Sequence, residues 1–349
     1  MSAIYTRIIR PLLFTMNPEK VHHLVVSLLR RAFSIAPLRC LVTKLYRVEH
    51  PSLKRTVFGL EFENPVGIAA GFDKNAEVFE ALSAFGFSHI EIGTVVPLPQ
   101  PGNPKPRLFR LRKDKGLINR MGFNHLGLDV VKARLQNRPQ HLIIGGNIGK
   151  NTLTPNEKAA EDYLNCFEGL FDLVDYFVVN VSCPNISNMK ALQDQDALLG
   201  ILNVIQQSNN AKPRRKPVLL KVSPDLNDQQ LDEVIDIIKQ TGIDGVVATN
   251  TTITRHTIKN EIKAAEKAGN GGLSGLPLQK RSTEVVRYLA EKSGKAFPII
   301  GVGGIITPQD AIEKLEAGAD LVQVYTGFIY SGPSLARNIN KALLRKRAN

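Results

Sequence analysis

Pro298-Ile299-Ile300-Gly301-Val302-Gly303-Gly304 is a short apolar run that closes on two glycines, and Thr307-Pro308 behind it is a helix-start signal. Such a run, apolar on both alternating faces and bounded by turn residues, reads as a strand of a parallel sheet covered on both sides. Working outward, seven further runs share its form: residues 65–70, 89–96, 142–149, 176–181, 217–222, 245–251 and 321–326. Helical patterns separate most of them. In residues 228–239, Leu231, Val234, Ile235 and Ile238 recur at helical spacing behind a polar start. Eight strands alternating with helices predict an α/β chain folded as a (β/α)8 TIM barrel. A doubly wound open sheet is the alternative arrangement, and the count of strands with a length of 349 residues favours the barrel. Residues 56–62 predict a hairpin that closes the barrel floor.

A barrel of this kind carries its active site where the strands end and the following loops begin. The polar residues of the runs stand there: Lys74, Thr94, Asn147, Asn180 with Cys183, Lys221, Thr249 with Asn250, Gly303 with Gly304, and Tyr325 with Thr326. The fourth run closes on Asn180-Val181-Ser182-Cys183-Pro184-Asn185, two amides flanking a thiol, which marks the place for chemistry. An amide both donates and accepts, so Asn119, Asn180, Asn185 and Asn250 suit a heterocycle that bears both kinds of group.

Glycines let backbone N–H groups approach an anion, and a helix N-terminus adds partial positive charge. The turn at Gly303-Gly304 and the segment Gly271-Gly272-Leu273-Ser274-Gly275 therefore predict a phosphorylated ligand or cofactor, helped by Tyr325 and Thr326. The same glycine element serves phosphate-sugar isomerases and aldolases, and Lys221 also reads as a Schiff-base lysine.

Cys40, Cys166 and Cys183 show no CxxC spacing, which points away from a disulfide framework and a zinc site and toward a reducing compartment; no metal is expected. The net charge is +13, and the first 47 residues hold eight Lys or Arg against a single acidic residue. Apolar positions alternate there with basic ones, and Pro11 and Asn17-Pro18 divide the stretch into two short helices. No apolar run approaches the roughly 20 residues that span a bilayer. The segment reads either as a basic amphipathic surface for anionic lipid or as a helical hairpin packed on the barrel with a solvated basic face. The charge balance also admits nucleic-acid binding, but its clustering at the start of the chain, away from the barrel mouth, argues against it.

Ala69-Ala70-Gly71-Phe72-Asp73-Lys74, Glu91-Ile92-Gly93-Thr94-Val95, residues 100–107, Asn119-Arg120-Met121-Gly122-Phe123, the Asn180 hexapeptide, Ala248-Thr249-Asn250-Thr251-Thr252 and residues 271–275 stand in this order along the chain. Together they resemble the dihydroorotate dehydrogenase family from about residue 5 to the end, and the basic N-terminal stretch with Pro18-Glu19-Lys20-Val21-His22 resembles its membrane-associated, quinone-reducing class 2.

The resemblance implies one FMN over the barrel mouth and oxidation of dihydroorotate to orotate in pyrimidine synthesis. It implies FMN contacts at Ala70, Gly71, Phe72, Asp73, Lys74, Thr94, Asn147, Asn180, Lys221, Thr249, Gly275, Gly304, Tyr325 and Thr326. Substrate contacts are implied at Lys74, Asn119, Arg120, Met121, Gly122, Phe123, Asn180, Asn185, Asn250 and Thr251. Cys183 takes the role of the base that removes the C5 proton while C6 gives hydride to flavin N5. Class 2 members usually carry Ser there and class 1 members Cys; a thiol with a pKa of about 8.5 is the better base near neutrality. His22, Arg110 and Tyr325 are the implied quinone contacts, residues 1–47 the extension that gives access to it, and residues 48–349 the barrel. A peripheral place on the cytoplasmic face of the cell inner membrane follows. The alternative is a soluble class 1-like enzyme that uses fumarate or NAD, and a more distant one is a flavin barrel acting on RNA.

Overall fold

The structure is a computed structural model that describes residues 2–181 and 195–348. Eight parallel strands, Val66–Ile68, His89–Val95, Ile143–Ile148, Tyr176–Asn180, Val218–Val222, Gly245–Ala248, Ile299–Val302 and Leu321–Val324, pair in chain order. The eighth pairs with the first through Val322↔Val66 and Val324↔Ile68, so the sheet closes into the expected barrel and the open-sheet alternative is excluded. Nearly every residue of these strands is buried, because helices cover the outside and side chains fill the inside. Tyr176, Val178, Leu219, Val247, Ile300 and Leu321 form that inner filling together with Val57 and Phe62 from the hairpin Arg55–Val57 and Leu60–Phe62. The Phe62 ring meets the edge of His89 at 5.2 Å, at the start of the second strand, so the hairpin closes the floor as its sequence suggested.

The outer helices start where their sequences say they should. Asn227 accepts from Gln230 N at 2.9 Å and Gln230 reaches back, a reciprocal cap for Asp228–Thr241, whose Leu231, Val234, Ile235 and Ile238 are all buried. Thr307 and Asp310 do the same for Pro308–Glu316, directly after the glycine turn of the seventh strand.

The N-terminal stretch departs from the expected pair of short helices. Residues 2–14 run as one helical stretch through Pro11, and Ala36–Tyr46 forms a further helix after Pro18–Phe33. Pro11 does not break the first piece because a wider π turn, Tyr5–Ile9, precedes it and Arg10 N already reaches back to Tyr5 O. Asn17 caps the second, accepting from Glu19 N at 3.0 Å and Lys20 N at 3.2 Å. No helix among the described residues is long and apolar enough to cross a membrane.

A second departure lies beside the mouth. Leu108–Leu111 and Gly116–Asn119 form a hairpin that pairs antiparallel with Gly272–Gly275, a sheet outside the eight runs that the sequence marks as strands. Leu111, Ile118, Ile258 and Leu273 bury one face of this small sheet, a contact between segments too distant in sequence for local pattern to show.

Burial pushes the His89 imidazole pKa down from 6.5 to about 3 and that of His125 down to about 4. His125 is held uncharged, its Nδ1 accepting from Gly127 N at 2.9 Å. The unfolded chain protonates both histidines near pH 6.5 while the folded chain does not, so stability is complete above that pH and falls as pH drops toward 4. The slope is about 1.4 kcal/mol per histidine per pH unit. The thermal midpoint should therefore fall from pH 7 to pH 5, and fall less in His125→Gln; an equal fall in the variant would remove His125 from this account.

Candidate functional site

A carboxylate stands inside the barrel. Glu91, on the second strand, is 0% exposed and accepts from three side chains of three other strands. Asn147 Nδ2 reaches its Oε1 at 2.8 Å, Lys221 Nζ the same oxygen at 3.2 Å, and Gln323 Nε2 its Oε2 at 2.8 Å. The network continues upward. Thr94 Oγ1 donates to Asn147 Oδ1 at 2.5 Å, Asn180 Nδ2 donates to Thr94 Oγ1 at 2.9 Å, and Asn250 Nδ2 donates to Asn180 Oδ1 at 3.3 Å. Tyr163, on the helix outside the barrel, fixes the backbone at Asn180 by donating to its carbonyl at 2.9 Å. Thr94, Asn147, Asn180, Lys221 and Gln323 lie at or near the C-terminal ends of their strands and Asn250 just after one, so barrel closure brings them to one face above Glu91, the third residue of its strand.

Above this floor opens a cavity that gathers most of the expected residues. Ala70, Gly71, Lys74, Thr94, Asn180, Lys221, Thr249, Gly275, Gly304, Tyr325 and Thr326 line it. So do Asn119, Met121, Gly122, Phe123, Asn250, Thr251 and His22. Lys74 Nζ donates to Asn124 Oδ1 at 2.6 Å, which holds the ammonium at the rim. Ser274 and Thr326 place their hydroxyls 2.9 Å apart beside Gly303 and Gly304, an end rich in small donors. Burial pushes the Tyr325 phenol up to about 12, so its hydroxyl stays protonated, 3.4 Å from the Gly71 carbonyl. Burial, then the charges of Lys74 and His23, push His22 down to about 3, and the cavity meets a neutral imidazole there.

Five expected contacts stand elsewhere. Phe72 is packed behind the wall, edge-on to Phe328, His22 and Tyr325 at 5.3, 5.5 and 5.7 Å. Asp73 turns away to cap the following segment, accepting from Glu77 N at 2.6 Å and Val78 N at 2.8 Å. Asn147 lies one layer below the cavity, between Thr94 and Glu91. The Arg120 guanidinium faces outward onto the Ala268 carbonyl at 2.5 Å and the Pro106 carbonyl at 3.0 Å. Arg110 clamps the end of the first helical stretch, reaching Met16 O at 2.8 Å with its guanidinium 4.5 Å from the Phe14 ring centroid. Cys183 and Asn185 lie outside the described residues.

The sequence motifs include Glu91, Ser274 and Glu19 without giving any of them a task of its own, and Gln323 and Asn124 stand outside the residues they single out. The usable signal was an acid and a lysine, Glu91 and Lys221, each inside an otherwise apolar run. Glu19 lines the cavity and receives Arg107 at 3.1 and 2.8 Å; burial opposes its ionisation, but Arg107, Lys105 and His23 hold its carboxyl below the usual range.

A family model described as dihydroorotate dehydrogenase matches residues 52–346. The chain belongs to the dihydroorotate dehydrogenase family. Members of this family are flavin-dependent oxidoreductases. A relative from Christiangramia forsetii named dihydroorotate dehydrogenase (quinone) is 55% identical over 343 residues, spanning 98% of this chain and 99% of its own. One of the same name from Vibrio parahaemolyticus is 47% identical over 341 residues, covering 97% and 99%. The solved structure of a DHODH from Eimeria tenella in complex with ferulenol superposes with a TM-score of 0.85 at 36% identity, over 95% of this chain and 92% of that one.

Within this dehydrogenase fold, removing one member of a buried ion pair leaves the other charge uncompensated, at a cost of about 3–5 kcal/mol. Glu91→Ala should lose stability on that scale, and the double change Glu91→Leu with Lys221→Met should lose less than either single change. Thermal or denaturant unfolding checks this; a double variant as unstable as the sum of the singles would show that the pair is not coupled.

Proposed function

We infer that the chain oxidises (S)-dihydroorotate to orotate and passes the electrons to a membrane quinone, a step of pyrimidine (UMP) synthesis. The observation that carries this is convergence: residues from motifs spread between Ala70 and Thr326 line one cavity over one polar floor. The residues present fit a flavin nucleotide. Gly303, Gly304, Ser274 and Thr326 form an end of backbone and hydroxyl groups suited to a phosphate, while Lys221, Thr94 and Asn180 offer a cation, a hydroxyl and an amide to a polar ring.

FMN supplies, when bound, a two-electron acceptor. The chain's own groups do the rest. Lys221, held by Glu91, keeps positive charge at the cavity floor, where it favours negative charge that develops during reduction. Lys74 and the backbone of residues 121–123 take the substrate carboxylate, and Asn119, Asn180, Asn250 and Thr251 match the donors and acceptors of its ring. Cys183 takes the C5 proton as general base.

Residues 1–47 are proposed to form the quinone entrance and a peripheral membrane surface on the cytoplasmic face, with residues 48–349 as the catalytic barrel. Ile4, Ile8, Leu12, Leu28 and Leu41 support this, since each is more than half exposed on a basic helical segment. His22 lines the cavity from the second helix and Tyr325 from the eighth strand, which suits both to a quinone carbonyl.

Purified protein should be yellow and should bleach when anaerobic dihydroorotate is added; a colourless protein that takes up no FMN would sink the proposal. Cys183→Ala should keep the flavin spectrum but bleach roughly 100-fold more slowly at neutral pH or worse. An unchanged bleaching rate would take Cys183 out of the mechanism. Removal of residues 1–45 should leave bleaching intact and abolish efficient reoxidation by quinone. Reoxidation by fumarate in preference to quinone, in the full chain, would favour the class 1-like alternative.

A further inference from the structure

Behind the glycine turn of the seventh strand the protein buries a lysine. Lys314, on Pro308–Glu316, is 0% exposed, and its stem passes beneath Gly301, where a Cβ would stand 2.5 Å from Lys314 Cγ. Its ammonium donates to Ser282 Oγ, itself 0% exposed on the helix Gln279–Lys292. Ser282 Oγ donates onward to the Gly303 carbonyl at 3.0 Å. Position 303 needs glycine for this contact, with φ +117° and a Cβ that would meet Ser282 Oγ at 2.8 Å. The Gly303 carbonyl and the Gly304 N–H belong to one planar peptide unit, and both residues line the cavity.

An ammonium only donates, so it fixes the direction of the chain: Ser282 accepts from Lys314 and must spend its own proton on Gly303. Hydrogen bonds in such a series polarise one another. The nearby acids are engaged elsewhere. Asp310 receives Ile306 N at 2.9 Å, Thr307 N at 2.7 Å and Gln279 Nε2 at 2.9 Å, and Glu313 receives Gln279 Nε2 at 3.3 Å. Among the described residues no carboxylate lies within ion-pair distance of Lys314 Nζ; burial pushes its pKa down to about 7, against the longer-range attraction of Asp310 and Glu313. A side chain serving only to fill this space would be apolar, since a buried charge without a contacting counter-ion is costly even with Asp310 and Glu313 nearby.

We propose that Lys314 is a positioning residue for the phosphate of the flavin nucleotide, acting through Ser282 on the Gly303-Gly304 peptide so that the Gly304 N–H is oriented and polarised toward the anion. This rests on the phosphate role given above to the glycine turn. Lysine and anion then reinforce each other: a bound phosphate favours the charged lysine, and the charged lysine strengthens the donor that meets the phosphate.

The test uses the full chain stripped of flavin, with FMN and riboflavin as probes and quenching of flavin fluorescence as the readout, for the parent protein, Lys314→Met and Ser282→Ala. The parent should bind FMN more tightly than riboflavin. Both variants should lower the FMN-to-riboflavin affinity ratio about tenfold, as expected for loss of a charge-assisted hydrogen bond, while riboflavin affinity stays within about twofold. An unchanged ratio in folded Lys314→Met would reduce the lysine to packing and overturn the proposal. If Lys314→Met does not fold, an unchanged ratio in Ser282→Ala overturns it equally, because the relay runs through that hydroxyl. A parent protein without preference for FMN would instead refute the phosphate role of the glycine turn, and the proposal with it.

Discussion

Everything at the mouth of this barrel is arranged around one ionised group placed where water cannot reach it. Glu91 is inside the sheet, and a carboxylate there is tolerable only if its oxygens are occupied. Lys221 supplies the opposite charge, and Asn147 and Gln323 supply neutral donors, so four strands are tied through one side chain. A buried pair of this kind is weak evidence for stability, because two well-packed apolar residues would serve as well. It is better evidence for a task that needs a cation held at a fixed place on the cavity floor, with its proton donors aimed by partners that cannot move away.

The layers above follow from that floor. Asn147 faces both ways, giving its amide protons to Glu91 and its oxygen to Thr94, so the orientation of Thr94 is settled from below. Asn180 and Asn250 inherit their orientation in the same manner. The cover is tied just as firmly. Tyr5 reaches the Ile329 carbonyl at 2.6 Å and Arg10 the Tyr330 carbonyl at 2.7 Å, while Arg110 and Arg112 hold the Phe14 end from the hairpin beside the mouth. With Arg107 on Glu19, basic residues of the first 47 positions and of the 102–120 segment prove to hold structure together, which the count of charges alone did not distinguish from a solvated face.

Fold and site were legible to different depths. Eight apolar runs, their turn residues and the helix caps at Asn227 and Thr307 are local signals, and the barrel followed from counting them. Motif residues at strand ends were legible as site residues because a barrel sends all such ends to one face. Phe72, Asp73 and Arg120 show the limit of that logic. Each stands in a motif beside true lining residues, and a rotation of one residue along the chain decides whether a side chain enters the cavity, packs behind it or caps the next turn. The small sheet that joins residues 108–119 to 272–275 was hidden for another reason: antiparallel partners far apart in sequence leave no periodicity that announces them.

Sequence alone determined the number and order of the barrel strands, the glycine turn, the basic apolar cap and the family, since each is written in consecutive residues. The tertiary structure alone decided that Glu91 meets Lys221, that Arg107 meets Glu19 and that Lys314 lies behind Gly303. The physical reason is that a charge can be buried only beside its complement, and which complement is near depends on barrel closure and register, not on any local run of residues.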